Sequence, residues 1–173
     1  SSVSMPRSAL ASKREFWRTE TKRVEAHWPL CAISERRLDR MSKRTLPRLT
    51  VDNTFFWQSG ADGQLRLLQC QACATFVHPP YPVCHQCLSD QLEPQVMAGT
   101  GIVDTFTVNY QKWRPDLEVP YVIARVVVDG AQDVFLTTNI VGCPAEEVRI
   151  GDKVRVVFEQ QDDVYFPLFK KVA

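Results

Sequence analysis

The sequence predicts a mainly β protein: an N-terminal helical segment, a metal-bound ribbon and a small C-terminal barrel. Three observations carry that expectation. Two C-x-x-C pairs, Cys70-Gln71-Ala72-Cys73 and Cys84-His85-Gln86-Cys87, stand ten residues apart. Beyond residue 99 the apolar period is two, run after run. A short stretch with three consecutive aromatics, Phe55-Phe56-Trp57, precedes the first cysteine.

The length, 173 residues, allows one domain or two small ones. The net charge of +1 hides an asymmetry: residues 1–40 carry nine Lys/Arg against five Asp/Glu, and residues 41–173 carry twelve against fifteen. The part with ordered patterning is therefore mildly acidic, which argues against a nucleic-acid surface built on backbone contacts. There is no run of 18 apolar residues, so no membrane span is expected. Cys31 and Cys143 remain once the paired cysteines are set aside, a reduced, cytoplasmic pattern rather than a secreted disulfide framework. No signal-peptide core is visible either.

Residues 1–45 read as a basic extension. They hold Lys13-Arg14, Lys22-Arg23 and Arg36-Arg37, with weak helical periodicity around Phe16, Thr19 and Val24. Met41 opens a stretch that looks like an ordinary protein start. The arm is either an extension of the natural start or a partner-docking segment, and little packing against the core is expected. Residues 46–98 form the second unit. A short helix carries Phe55, Phe56 and Trp57, with Asp52 or Asn53 as cap and Gly60 as its stop. Those aromatics need a surface to cover, either their own domain or a partner.

The ribbon follows. Residues 64–69 alternate around Leu65 and Leu67 and deliver Cys70; residues 76–78 return, and Pro79, Pro80 and Pro82 stiffen the approach to the second pair. Each C-x-x-C makes a knuckle that aims two sulfurs at one point. Four thiolates, Cys70, Cys73, Cys84 and Cys87, suit one tetrahedral zinc ion, or iron in a rubredoxin-like centre. Ala74 and Leu88 stand where rubredoxin knuckles usually place glycine, which favours zinc. All four positions are filled, so the site is structural; a catalytic zinc keeps one position open. Bound zinc contributes ~10–16 kcal/mol of apparent folding free energy in isolated finger peptides.

Residues 99–173 are the third unit. Residues 101–109 alternate Ile102, Asp104, Phe106 and Val108 with Val103, Thr105 and Thr107. After a loop over residues 110–119, a β-branched run over 120–129 ends at Asp129-Gly130, a hairpin signal, and pairs with 134–140. A short helix at 143–148 precedes two final strands, 154–159 and 165–170, joined at Asp162-Asp163. Five strands, with a helix between the third and fourth, match a small OB-type barrel.

These motifs, in order, carry a resemblance: Phe55-Phe56-Trp57, Leu67-Leu68-Gln69-Cys70-Gln71-Ala72-Cys73, Pro79-Pro80-Tyr81-Pro82-Val83-Cys84, Val119-Pro120-Tyr121-Val122 and Thr138-Asn139 with Gly142-Cys143. Over residues 46–172 the chain resembles the acyl-CoA-associated zinc-ribbon/OB-fold family known as domain-of-unknown-function family 35. The resemblance implies a non-catalytic accessory subunit of an acyl-CoA enzyme. It implies a partner of the thiolase superfamily, such as a lipid-transfer-protein-like aldolase cleaving steroid side-chain CoA esters, in a hetero-oligomer such as a heterotetramer. Its other branches imply a MaoC-like hydratase partner, or a bridge between an acetoacetyl-CoA thiolase and a hydroxymethylglutaryl-CoA synthase. Acyl-CoA is then the ligand of the complex.

The residues agree with a non-catalytic role. The three histidines are His27, in the arm, and His78 and His85, in the ribbon, and no Ser/His/Asp set or Cys/His pair is suggested away from the metal. No Gly-rich phosphate loop is present. Candidate partner or CoA contacts are Phe56 and Trp57 on the helix, Pro80 and Tyr81 at the ribbon tip, and Lys112, Trp113 and Arg114 in the long loop. Trp and Arg are typical interface anchors, and a cation meets a phosphate. Two other readings stand beside this one: an OB-fold nucleic-acid module, and an electron carrier with iron in the cysteine site, which a colourless protein excludes.

Overall fold

The computed structural model describes residues 44–115 and 117–172, so the expectations for residues 1–43 of the basic arm fall outside the described residues; Arg44, at its end, is hydrogen-bonded to the barrel. From Arg44 the chain crosses in extended form to helix α1 (Thr54–Gln58), which tightens into a 3₁₀ turn (Ser59–Asp62). Asn53 is the cap position, but its side chain serves the turn before the helix instead. Its Oδ1 accepts the Thr50 N–H at 2.8 Å and its Nδ2 donates to the Arg48 carbonyl at 3.1 Å. Gly60 does not stop the helix as expected. It lies inside the 3₁₀ turn, and Gly63, at φ 75°, closes it. Gly60 is glycine for a packing reason: a Cβ there would lie 2.5 Å from Phe158 Cδ1 and from Tyr165 Cβ.

Strands β1 (Arg66–Cys70), β2 (Phe76–Val77) and β3 (Leu92–Val96) form one antiparallel sheet in the order β2-β1-β3. The segment expected only to leave the ribbon is thus its third strand, paired along the whole of β1 from Arg66↔Val96 to Cys70↔Leu92. Period-two alternation divides β1 between two cores. Leu67, with Leu65 beside it, joins the cluster that fills the barrel, whereas Leu68 packs with Cys70, Val77 and Cys84 under the knuckles.

The barrel comprises β4 (Thr100–Asn109), β5 (Tyr121–Val128), β6 (Ala131–Val141), β7 (Lys153–Gln161) and β8 (Val164–Lys171). It closes in the order β4-β5-β6-β8-β7, with β6 and β8 parallel and β7 returning to β4. A 3₁₀ turn (Ala145–Glu147) takes the place of the expected short helix between β6 and β7. On β5 and β6, Val122, Ala124, Val126, Val128, Val134, Leu136 and Ile140 face inward as period two requires. On β4 the simple alternation breaks. A bulge between Val103 and Thr105 switches faces, so Val103 is buried before it and Phe106 and Val108 pack inward after it. Ile102, read as sharing their face, points out and is 43% exposed. Among the described residues no helix is long and apolar enough to cross a membrane.

Candidate metal centre and groove

The two knuckles are built alike. In the first, the Ala74 N–H donates to the Cys70 carbonyl at 2.8 Å and the Cys70 N–H to the Thr75 carbonyl at 2.9 Å. In the second, the Leu88 N–H donates to the Cys84 carbonyl at 2.9 Å and the Cys84 N–H to the Ser89 carbonyl at 2.8 Å. Both turns put the residue after the second cysteine in the left-handed region, Ala74 at φ 60° and Leu88 at φ 61°. The glycine conformation of such knuckles is therefore kept without glycine, at a cost of ~1–2 kcal/mol for each side chain.

The four sulfurs converge. Cys70 Sγ lies 3.5 Å from Cys87 Sγ and Cys73 Sγ lies 3.6 Å from Cys84 Sγ, and all four lie within 4.8 Å of one another. A tetrahedron of zinc–sulfur bonds of about 2.3 Å has edges of ~3.8 Å, so the cage fits a structural zinc ion. Cys70 and Cys84 are buried and Cys73 and Cys87 lie on the solvent side. The side-chain hydrogen bond of Thr75, with its backbone, holds the Cys73 thiol down to about 6. At Cys87 the backbone of Ser89 acts to lower the thiol, but the neighbouring sulfurs of Cys73, Cys70 and Cys84, together with desolvation, push it up to about 12. A divalent ion binds the four cysteines as thiolates, so its binding releases protons.

The contact candidates fall into different places. Phe56 is buried, its ring 5.0 Å from His78 and 5.1 Å from Trp57, so it serves the interior. Trp57 is half-buried against Phe166 at 5.7 Å. Tyr81 is 63% exposed at the ribbon tip and Trp113 is 72% exposed. Trp113 is nonetheless fixed, since its Nε1 donates to Asn109 Oδ1 at 3.1 Å. Lys112 is exposed beside it. Arg114 Nη1 donates to Thr45 Oγ1 at 3.2 Å.

A groove that sequence reasoning missed lies between ribbon, helix and barrel. One chamber, of about 510 Å³, is lined by Trp57, His78, Pro79 and Pro80 against Leu136 and Pro167. A second, of about 420 Å³, lies between Arg114, Glu118, Tyr121 and the outer face of β5 and β6. The structure thus brings Phe56, Trp57 and Pro80 to one chamber and Arg114 to the other; Tyr81, Lys112 and Trp113 line neither. Arg44, Thr137, Thr138, Asn139 and Phe166 line both. These residues are scattered from position 44 to position 167, so no local motif announces them. His78 sits here with Nδ1 buried and unpartnered, and burial pushes its imidazole down to about 4.

Two family models match the chain: the ChsH2 rubredoxin-like zinc ribbon domain over residues 57–93 and the ChsH2 C-terminal OB-fold domain over residues 94–159. A probable enoyl-CoA hydratase alpha subunit of Thermomonospora curvata is 32% identical over 128 residues, 73% of this chain and 40% of that protein. The 3-oxo-4,17-pregnadiene-20-carboxyl-CoA hydratase alpha subunit of Mycobacterium tuberculosis is 31% identical over 112 residues, 65% of this chain and 35% of that protein. The chain therefore spans well under half the length of both. Among solved structures, a chain of the Ltp2–ChsH2(DUF35) aldolase is 30% identical with a TM-score of 0.67, covering 74% of this chain and 100% of that one.

Proposed function

The chain belongs to the ChsH2 (DUF35) zinc-ribbon/OB-fold family, and on that premise we propose that it is a non-catalytic accessory subunit of an acyl-CoA enzyme. It binds and stabilises a thiolase-superfamily partner, an aldolase acting on acyl-CoA thioesters such as steroid side-chain CoA esters. The observation that carries this reading is the match to the aldolase's ChsH2(DUF35) chain along its whole length. The hydratase alpha subunits extend well beyond the part that this chain matches. A hydratase partner is the second reading, favoured by the identities of 32% and 31% to those subunits.

The chemistry of the chain supports a scaffold. Its one cluster of metal-ligating side chains among the described residues is the closed four-cysteine cage, which leaves no position for substrate. Trp113, fixed by Asn109 yet exposed, is a preorganised aromatic anchor for a partner, and Tyr81 at the ribbon tip is a second exposed aromatic. Lys112 and Arg114 on the same loop suit a phosphate of the CoA moiety.

The test is affinity capture of the zinc-loaded full chain from its source cell, with bound proteins identified by mass spectrometry. A thiolase-superfamily protein in stoichiometric amount supports the aldolase reading; a hydratase selects the second. Bait recovered alone, or with nucleic acid and its binding proteins, overturns both. Trp113→Ala is expected to weaken the captured complex by about 2 kcal/mol, roughly thirtyfold in Kd.

A further inference from the structure

The four sulfurs of the cage are not equivalent. Cys70 and Cys84 are 1% and 0% exposed, whereas Cys73 and Cys87 face solvent. Each solvent-side sulfur lies against a buried sulfur of the other knuckle. Cys73 Sγ is 3.6 Å from Cys84 Sγ, and Cys87 Sγ is 3.5 Å from Cys70 Sγ. A disulfide bond is about 2.05 Å long, so each sulfur of a pair has only about 0.7–0.8 Å to close. The two pairs are nested along the chain. Cys73 and Cys84 enclose the segment that carries Val77 of the ribbon core and His78, Pro79 and Pro80 of the first chamber, and Cys70 and Cys87 enclose that pair in turn.

We propose that the cage is a peroxide-reactive site, which exchanges its zinc ion for two disulfides across the knuckles, Cys73–Cys84 and Cys70–Cys87. Cysteines that hold zinc are thiolates, the form that attacks an oxidant. Only Cys73 and Cys87 are open to an oxidant that arrives from solvent. A thiolate there takes one oxygen of the peroxide and becomes a sulfenic acid, and the other oxygen leaves as hydroxide. The new S–O bond faces solvent, because the oxidant came from there. Displacement at sulfur runs in line, and the buried thiolate of the pair stands on the opposite side. It forms the S–S bond from within and expels hydroxide outward. Each pair thus gives two electrons to one peroxide and releases two hydroxide ions, and the zinc ion leaves with its charge unchanged. Once one disulfide has formed, two thiolates remain, too few for a closed four-ligand site. Burial of the attacking sulfur also keeps peroxide off it, so the pair stops at the disulfide and does not climb to sulfinic acid. The exchange holds the knuckles face to face without metal. The ribbon sheet and the chamber wall at His78, Pro79 and Pro80 persist, where loss of zinc alone releases them. The inference rests on the fit of zinc to the cage and not on which enzyme the chain serves.

The test uses the zinc-loaded full chain, its metal content measured first, with hydrogen peroxide added in steps beside a chromogenic zinc chelator. The expected result is complete zinc release at about two equivalents of peroxide, with about four thiols lost per zinc. Release by the chelator alone is expected to be at least about tenfold slower; release at one rate with and without peroxide overturns the proposal. Dimedone present during the reaction is expected to cap Cys73 and Cys87 only, and caps on Cys70 or Cys84 overturn the order of attack. Elastase and chymotrypsin, cutting at Ala72 and Phe76, separate the four cysteines enough for fragmentation to read the links. Cys73–Cys84 and Cys70–Cys87 are expected; links within a knuckle, or sulfinic acid at Cys73 or Cys87 in their place, overturn the exchange. Hydrogen exchange reads the fold independently. The amides of Cys70, Ala74, Cys84 and Leu88 are expected to stay protected in the oxidised chain and to exchange rapidly in a reduced chain stripped of zinc. Equal loss of protection in both overturns the proposal. Partner capture is read separately, so the accessory reading and this one can fail independently.

Discussion

At the scale of single residues, the knuckles show how metal ligation overrides local preference. Ala74 and Leu88 occupy left-handed backbone that suits glycine, because only that turn returns the following chain to the sheet with both sulfurs facing inward. Leu88 is 77% exposed and contributes little packing. Leu88→Gly is therefore expected to stabilise the zinc-loaded protein by about 0.5–1 kcal/mol, the relieved strain exceeding the added freedom of the unfolded chain. A lower melting temperature than the native protein would refute this. Cys84→Ser removes a buried ligand and is expected to abolish stoichiometric zinc and cost several of the ~10–16 kcal/mol that such sites supply; metal analysis and thermal melting check both. His78 titrates in the opposite sense to a salt-bridged histidine. Its folded value of about 4 lies below the ordinary 6.5, so the unfolded chain binds the proton more readily. Its contribution is complete above about pH 6.5 and is lost as pH falls toward 4, by up to ~3 kcal/mol. Cysteine protonation acts in the same direction, so the informative quantity is a difference: His78→Phe should flatten the stability profile between pH 6.5 and 4 relative to the native chain. Superimposable profiles from denaturant titrations would sink the assignment.

At the scale of elements, the sequence placed every strand of the barrel but not every face. Period two identified β5 and β6 because each puts one row of β-branched side chains into the core. It misjudged β4, since a bulge adds a residue without any local signature and moves Ile102 to the outside. The helix stop was misplaced for a related reason. Gly60 reads as a terminator in a linear pattern, but the barrel strands β7 and β8 pass directly beneath it. Gly60→Ala is accordingly expected to destabilise by about 1–3 kcal/mol through forced displacement of Phe158 and Tyr165, far more than a terminator glycine on a surface would cost. Gly63→Ala, with open space around it, pays only for its positive φ, about 1 kcal/mol. Denaturant melts of the two variants separate these explanations.

At the scale of the whole molecule, two cores share one strand: Leu67 belongs to the barrel and Leu68 to the knuckles. Removing zinc is expected to expose the amides of Cys70, Ala74, Cys84 and Leu88 to rapid hydrogen exchange while β5 and β6 stay protected; uniform loss of protection would show that the ribbon and barrel unfold as one. The metal cage, the five strands of the barrel and the family resemblance were determined by the sequence alone. Each depends on spacing along the chain, which covalent geometry translates directly into knuckles and alternating faces. The groove, the Arg44 clamp and the burial of Phe56 were decided only by the tertiary structure. Arg44 meets Glu159 across 115 positions and Asn139 across 95, and contacts at such separations follow from how the barrel closes rather than from any local pattern.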